Sequence, residues 1–313
     1  MIADQRVRGV WTAVLTPLTP DGTCDIPALI RHCETLMACG VDGIAPFGTT
    51  GEGPSFTVRE RRLVLDGLVE AGIPANRLIP GTGCAALPDT VELTRHAIDH
   101  GCIGALALPP FYFKNVGDDG VVRAFAEVIE KTSDERLRLY LYHIPQTSAV
   151  AVTPDAVGKL IERYPGIIAG VKDSFGDWPA SRILIERFPD ISILLGAEHH
   201  LPRAVAAGGA GTICGLANIA PRLIRRLYDA TDPDELDSLV DRTEKLVELV
   251  TALPFTPAVK GIMAARSGNA AWQRVRAPLT SLTNYAARQL AASVAPLIDE
   301  TDPVVVRSMT IPI

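Results

Sequence analysis

The sequence predicts an α/β protein, a (β/α)8 barrel carrying a C-terminal helical extension. Three observations predict it. Eight short apolar runs alternate with amphipathic stretches over the first 230 residues. The runs are continuously apolar, as expected for parallel strands covered on both faces. After about Ala230 helical patterns follow one another with no strand between them. A doubly wound open sheet has the same periodicity and stands as the second reading, because periodicity does not report closure.

The predicted strands begin near Gly9, Val41, Arg77, Gly104, Arg138, Ile167, Ile191 and Gly211. Helical patterns between them include Pro27–Cys39, Val58–Glu70, Pro88–His100, Val121–Lys131, Pro154–Arg163 and Pro179–Phe188. Proline recurs at helix starts, where its missing N–H costs nothing. Glycine follows helix ends at Gly40, Gly72 and Gly101. Asp234–Thr251, Thr256–Ser267 and Thr280–Ala292 read as the helices of the extension, and Asp302–Ile313 as extended chain. The division is a barrel over residues 1–230 and a helical extension over 231–313.

The composition narrows the function classes. With 47% hydrophobic residues among 313, the chain fills a large core. A net charge of -6 and a pI of about 5.6 give no basic footprint for nucleic acid. No run reaches the ~18 apolar residues of a membrane span, and residues 1–10 have no apolar core of a secretory signal. Cys24, Cys33, Cys39, Cys84, Cys102 and Cys214 are scattered without a CxxC pair. A cytoplasmic protein without a disulfide framework or zinc site fits that pattern.

Barrel chemistry sits at the C-terminal ends of strands, and the ends here are rich in reactive groups. The sixth strand closes on Gly170-Val171-Lys172-Asp173. Burial disfavours the ammonium form of an amine, and a neutral lysine attacks a ketone to give a Schiff base. The bland reading is a structural lysine paired with Asp173. On the fifth strand Tyr142 follows Tyr140 by two, so both face one side. Tyr142 then stands next to Lys172 as a proton shuttle, or is simply core. Gly48-Thr49-Thr50-Gly51-Glu52 ends the second strand. It offers hydroxyls and approachable backbone N–H groups for a carboxylate, or a plain capped turn. Cys214 reads as a small buried residue.

Two other signals lead elsewhere. Gly81-Thr82-Gly83-Cys84-Ala85-Ala86 resembles a dinucleotide loop, but its helix starts late and no acid-ended strand follows. No nicotinamide cofactor is expected, and none of another kind. His143, Asp173, Glu198, His199 and His200 supply metal-type ligands near one rim, the basis of a rival metal-dependent aldolase or hydrolase. Their spacing contains neither HxH nor HExxH, and no metal site is assigned. A non-catalytic binding protein on the same barrel is the remaining rival.

The ordered motifs resemble the dihydrodipicolinate synthase/N-acetylneuraminate lyase family of class I, pyruvate-handling aldolases, which are TIM barrels. The matching segments are Gly48-Thr49-Thr50-Gly51-Glu52, Pro110-Phe111-Tyr112, Tyr142-His143-Ile144-Pro145, Gly170-Val171-Lys172-Asp173 and Gly209-Ala210-Gly211-Thr212-Ile213. They keep the family's order over about residues 8–225. The resemblance implies that Lys172 forms an imine with pyruvate and Tyr142 relays protons. It implies that Thr49 links Tyr142 to Tyr112, the latter reaching in from a neighbouring subunit of a homodimer or homotetramer. Thr50 and the backbone at Gly48 would hold the pyruvate carboxylate, Gly196 would line the site, and the Ile213 carbonyl would lie near the reacting centre.

One departure matters. The synthase of lysine biosynthesis carries an arginine two residues after the proline of Tyr-x-x-Pro, and here that position is Thr147. A hydroxyl does not replace a bidentate guanidinium. A genuine 4-hydroxy-tetrahydrodipicolinate synthase therefore ranks below an aldolase with another aldehyde partner, such as one released from a 2-keto-3-deoxy sugar acid. His143, Gln146 and Thr147 are the residues expected to meet that partner. Lys260, in the helical tail, is the contrasting lysine with no part in the imine.

Overall fold

The structure, a computed structural model, describes residues 6–299 and 302. Its strands are β1 (Gly9–Ala13), β2 (Gly43–Ala45), β3 (Ala105–Ala107), β4 (Leu139–His143), β5 (Ile168–Asp173), β6 (Ser192–Leu195) and β7 (Gly211–Cys214). They pair in parallel in the order β2-β1-β7-β6-β5-β4-β3. Residues 78–82 fill the gap between β2 and β3. Leu78 bridges Ile44, and Gly81 bridges Leu106. Ile79 N–H donates to the Ile44 carbonyl at 3.0 Å, and Leu106 N–H donates to the Pro80 carbonyl at 2.9 Å. These bonds close the ring, so the fold is a (β/α)8 barrel and the open-sheet reading fails.

The eighth stave is the third strand expected from the sequence, but it is irregular. Arg77 belongs to a 3-10 turn, Ala75–Arg77, and Pro80 has no N–H to give a ladder. A Cβ on Gly81 would lie 2.2 Å from the Phe47 carbonyl oxygen. The glycine of the dinucleotide-like segment thus serves close backbone approach across the barrel, and the next helix begins only at Leu87.

The helices are α1 (Ile26–Ala38), α2 (Val58–Glu70), α3 (Leu87–Asp99), α4 (Asp118–Thr132), α5 (Pro145–Ser148), α6 (Pro154–Arg163), α7 (Trp178–Arg187), α8 (Leu201–Ala206), α9 (Pro221–Asp229), α10 (Pro233–Thr251), α11 (Phe255–Ser267) and α12 (Asn284–Val294). Local chemistry sets their starts. Asp25, Thr153 and Asp177 accept from the first-turn N–H groups of α1, α6 and α7, and Thr57 with Glu60 makes a capping box for α2. Helix α4 starts at Asp118 instead of Val121, its two first-turn aspartates favoured by the helix dipole. Helix α12 starts at Asn284 instead of Thr280, where the Thr283 side chain accepts from Ala286 N–H. The expected extended tail lies outside the described residues, apart from Asp302.

Alternating residues fill the barrel with Trp11, Ile79, Leu106, Tyr140, Leu194 and Ile213. The opposite faces pack on the helical ring. One of these outer clusters joins Leu29 and Ile44 of the barrel to Leu246, Val259 and Leu290 of α10–α12, so the extension packs on the barrel. Each such fully buried side chain stabilises the fold by roughly 1.5–3 kcal/mol. No single described helix is long and apolar enough to cross a membrane.

Candidate active site

The parallel register of β4 and β5 sets Tyr142 beside Lys172 and His143 beside Asp173. Tyr142 and Tyr140 share the inward face with Leu194, the β6 neighbour of Lys172. Lys172 is 3% exposed, and its Nζ lies 4.2 Å from the centre of the Tyr142 ring. Asp173 points the other way, accepting from Phe175 N–H at 3.0 Å and from Ser181 Oγ at 2.5 Å. It is therefore not the partner of Lys172, and the structural-pair reading of that lysine loses its basis.

The loop after β2 completes the group. Thr49 Oγ1 is 3.2 Å from the Tyr142 hydroxyl. Phe47 and Glu52 hold φ angles of 61° and 57°, left-handed backbone that costs a non-glycine residue of order 1 kcal/mol. The loop keeps that shape through Gly53 N–H to the Gly48 carbonyl (3.0 Å) and Thr16 Oγ1 to the Gly51 carbonyl (2.8 Å). A Cβ on Gly48 would meet open space, so its backbone borders a free volume. Thr50 is buried, and a Cβ on Gly215 would come within 3.2 Å of its Oγ1.

Other expected residues fall around this group. Ile213 is fully buried on β7, paired with Trp11. Gly196 N–H donates to the Asp173 carbonyl at 2.7 Å, and a Cβ there would lie 2.1 Å from Ser174 Oγ. His143 alternates to the outer face, where its Nδ1 accepts from Val152 N–H at 3.0 Å. Burial lowers its pKa and the Asp173 charge opposes that. Thr147 is exposed on α5, and Gln146 Nε2 donates to the Ser174 carbonyl at 2.6 Å. Tyr112 is 75% exposed, its ring edge-on to Phe113. Among the described residues it makes no hydrogen bond to Thr49 within the chain.

Two acids exceed what the sequence reading assigned them. Glu198, read only as a rim ligand, is buried and accepts from Leu216 N–H at 3.1 Å. Burial raises its pKa, and backbone N–H groups, Cys214 and the Lys172 charge pull it back. Glu52 is buried against Lys260. Among the described residues His143, Asp173, Glu198, His199 and His200 bring no three ligand atoms together. Cys214 is buried, and burial pushes its thiol pKa up.

A buried lysine, a tyrosine on the adjoining strand and a threonine hydrogen-bonded to it can form an imine and move its protons. Known proteins resemble this chain over nearly its whole length. The profile of the Dihydrodipicolinate synthetase family matches residues 6–296. An uncharacterized DapA-like lyase of Chloroflexus aurantiacus is 35% identical over 95% of this chain and 99% of its own. A 4-hydroxy-tetrahydrodipicolinate synthase of Agrobacterium fabrum is 31% identical over 88% of this chain and 92% of its own. The crystal structure of dihydrodipicolinate synthase from Agrobacterium tumefaciens superposes with a TM-score of 0.86 at 35% identity, covering 93% of this chain and 99% of that one. A 2-keto-3-deoxygluconate aldolase of Sulfolobus solfataricus shares the fold at a TM-score of 0.82 and 21% identity, covering 92% and 96%. With its motifs, its closed barrel and a profile match over nearly its whole length, the chain belongs to the dihydrodipicolinate synthetase family.

Proposed function

We propose that this lyase works through an imine between Lys172 and the keto group of pyruvate or another 2-oxo acid. The observation that carries the reading is the buried Lys172 amine 4.2 Å from the Tyr142 ring centre, with the Tyr142 hydroxyl 3.2 Å from Thr49. The amine adds to the keto carbon, and Tyr142 moves the protons that let the carbinolamine lose water. The iminium nitrogen then accepts the electron pair of a breaking C–C bond, leaving an enamine, or the enamine attacks an aldehyde in the reverse direction. The Gly48–Thr50 backbone and the Thr50 hydroxyl suit the 2-oxo acid carboxylate. Gly196 and the Ile213 carbonyl border the reacting carbon.

Thr147 supports a partner other than aspartate semialdehyde, because it supplies no guanidinium for a second carboxylate. Cleavage of a 2-keto-3-deoxy sugar acid fits better. His143, facing away from the barrel, has no part in this reading. The exposed Tyr112 and Phe113 side by side support an oligomer, a homodimer or homotetramer, in which Tyr112 reaches the neighbouring site. Six unpaired cysteines fit a cytoplasmic setting.

Borohydride tests the reading. The expected result is irreversible inactivation only when pyruvate is present, with the mass of a reduced pyruvate adduct on the peptide holding Lys172. An adduct elsewhere, or activity lost to a chelator and untouched by borohydride, overturns it. Pyruvate release from 2-keto-3-deoxy sugar acids and N-acetylneuraminate, set against pyruvate consumption with aspartate semialdehyde, identifies the partner.

A further inference from the structure

Away from the barrel mouth, helices α2 and α3 bring three ligand-type atoms together. Asp66 lies on α2, His96 on α3, and His100 closes α3 one turn later. The i, i+4 spacing stacks the two imidazoles on one helix face, with ring centres 4.6 Å apart and planes at 85°. Asp66 Oδ1 is 2.8 Å from His96 Nε2 and 2.7 Å from His100 Nε2. Among the described residues this is the one group of three such side chains whose ligand atoms all lie within 4.8 Å of one another.

We propose that Asp66, His96 and His100 form a binding site for a divalent transition metal of the zinc class, clipping α2 to α3 on the outside of the barrel. Two imidazoles and one carboxylate are ligands that zinc, cobalt and nickel prefer, whereas calcium and magnesium take all-oxygen sets. Metal–ligand bonds of about 2.0–2.2 Å place neighbouring tetrahedral ligands about 3.3 Å apart. Asp66 Oδ1 lies about half an ångström inside that separation from both nitrogens. The neighbouring cation Arg62 is held by Glu92 at 2.7 Å, which limits its repulsion of a bound ion.

The competing arrangement is a carboxylate oxygen shared by two imidazole N–H groups. His96 argues against it. Its Nε2 is buried and has no hydrogen-bond partner, although Asp66 Oδ1 is 2.8 Å away. The two atoms are close but out of line for N–H···O, whereas a cation lying off their axis satisfies both. Asp66 and His100 remain partly accessible, at 34% and 26%, so an ion has a route in and a fourth position open to water. His100 stands just before the turn into β3, at the end of the barrel opposite Lys172. The proposal is therefore independent of the imine reading.

Cobalt(II) is the probe, titrated into the full chain after chelator treatment. The expected spectrum shows ligand-field bands saturating at one equivalent, without thiolate charge transfer, and zinc(II) displaces the cobalt. His96→Gln and Asp66→Asn should weaken binding by at least about tenfold, with unchanged circular dichroism. His100→Gln, at the more accessible helix end, repeats the test if either of those fails to fold. In parallel, one equivalent of zinc should raise the melting temperature of the wild type and not of the variants. A thiolate charge-transfer band would assign the ion to the cysteines and overturn the proposal. So would equal affinity in wild type and variants, or no saturable binding.

Discussion

Lys260 of α11 donates to Glu52 Oε1 at 2.5 Å, and both side chains are wholly removed from solvent. Glu52 Oε2 accepts Arg276 N–H at 2.7 Å. A carboxylate in the loop that presents Thr49 and Thr50 is thus gripped from the C-terminal extension. Burial lowers the Lys260 pKa, and Glu52 opposes that shift. Removing one partner of a buried pair leaves an uncompensated charge, typically costing about 3–5 kcal/mol. Lys260→Met should lose about that much stability in urea unfolding, and Lys260→Met with Glu52→Gln should recover part of it. Borohydride labelling of the folded single variant should still fall on Lys172. Equal stability of wild type and Lys260→Met would remove the anchoring role.

The contact between Tyr142 and Thr49 separates chemistry from packing. Tyr142→Phe keeps the buried ring and loses only the hydroxyl, so the fold should survive. Turnover should drop by roughly 10²-fold or more, the usual size of a lost general acid–base. Thr49→Val preserves shape and breaks the 3.2 Å contact. It should slow turnover less than Tyr142→Phe while leaving pyruvate binding near normal. The decisive comparison is kcat against the borohydride-trapped fraction at saturating pyruvate, and a neutral Tyr142→Phe would end the relay assignment.

Much of this arrangement was legible in the sequence, for physical reasons. A continuous apolar run ending in Lys172 places the amine at the strand end, and the two-residue period of Tyr140 and Tyr142 fixes their common face. The same period turns His143 outward, so its proximity in sequence to Tyr142 was misleading. Pro80 marked the irregularity of the third stave, but the apolar Leu78 and Ile79 beside it still read as a regular strand. Short α5, an extra turn between β4 and α6, was not expected, because so few residues carry little periodicity. The pairing of Glu52 with Lys260 spans 208 positions, and no local pattern reports it. His96 and His100 did carry a signal in their i, i+4 spacing, but the third ligand lies on another helix.

Tyr112 is the residue by which the proposed oligomer would complete the site. At 75% exposure it shields nothing within its own chain, and a large aromatic beside Phe113 forms an apolar projection suited to a partner's surface. If it reaches the neighbouring Thr49, Tyr112→Phe should lower turnover while leaving the oligomer intact. Tyr112→Asp with Phe113→Asp should shift the oligomer toward monomer in sedimentation and lose activity in parallel. A monomeric double variant with full activity would refute a role for a second subunit.

His32 supplies a pH dependence with a definite sign. Asn218 Nδ2 donates to the Ala13 and Gly215 carbonyls, so its Oδ1 accepts His32 Nε2–H at 3.0 Å. The ring packs edge-on to Trp272 at 4.8 Å. Burial lowers the His32 pKa from 6.5 to about 4. Between those values the unfolded chain binds a proton that the folded chain refuses, so this contribution to stability falls as pH falls. It should be fully present above about pH 6.5 and reduced by roughly 2 kcal/mol at pH 5. His32→Gln keeps a donor for Asn218 and has no titration. Urea unfolding at pH 7 and pH 5 should therefore show a steeper loss for wild type than for His32→Gln. Parallel losses in the two proteins would mean that His32 takes up its proton equally in folded and unfolded chains.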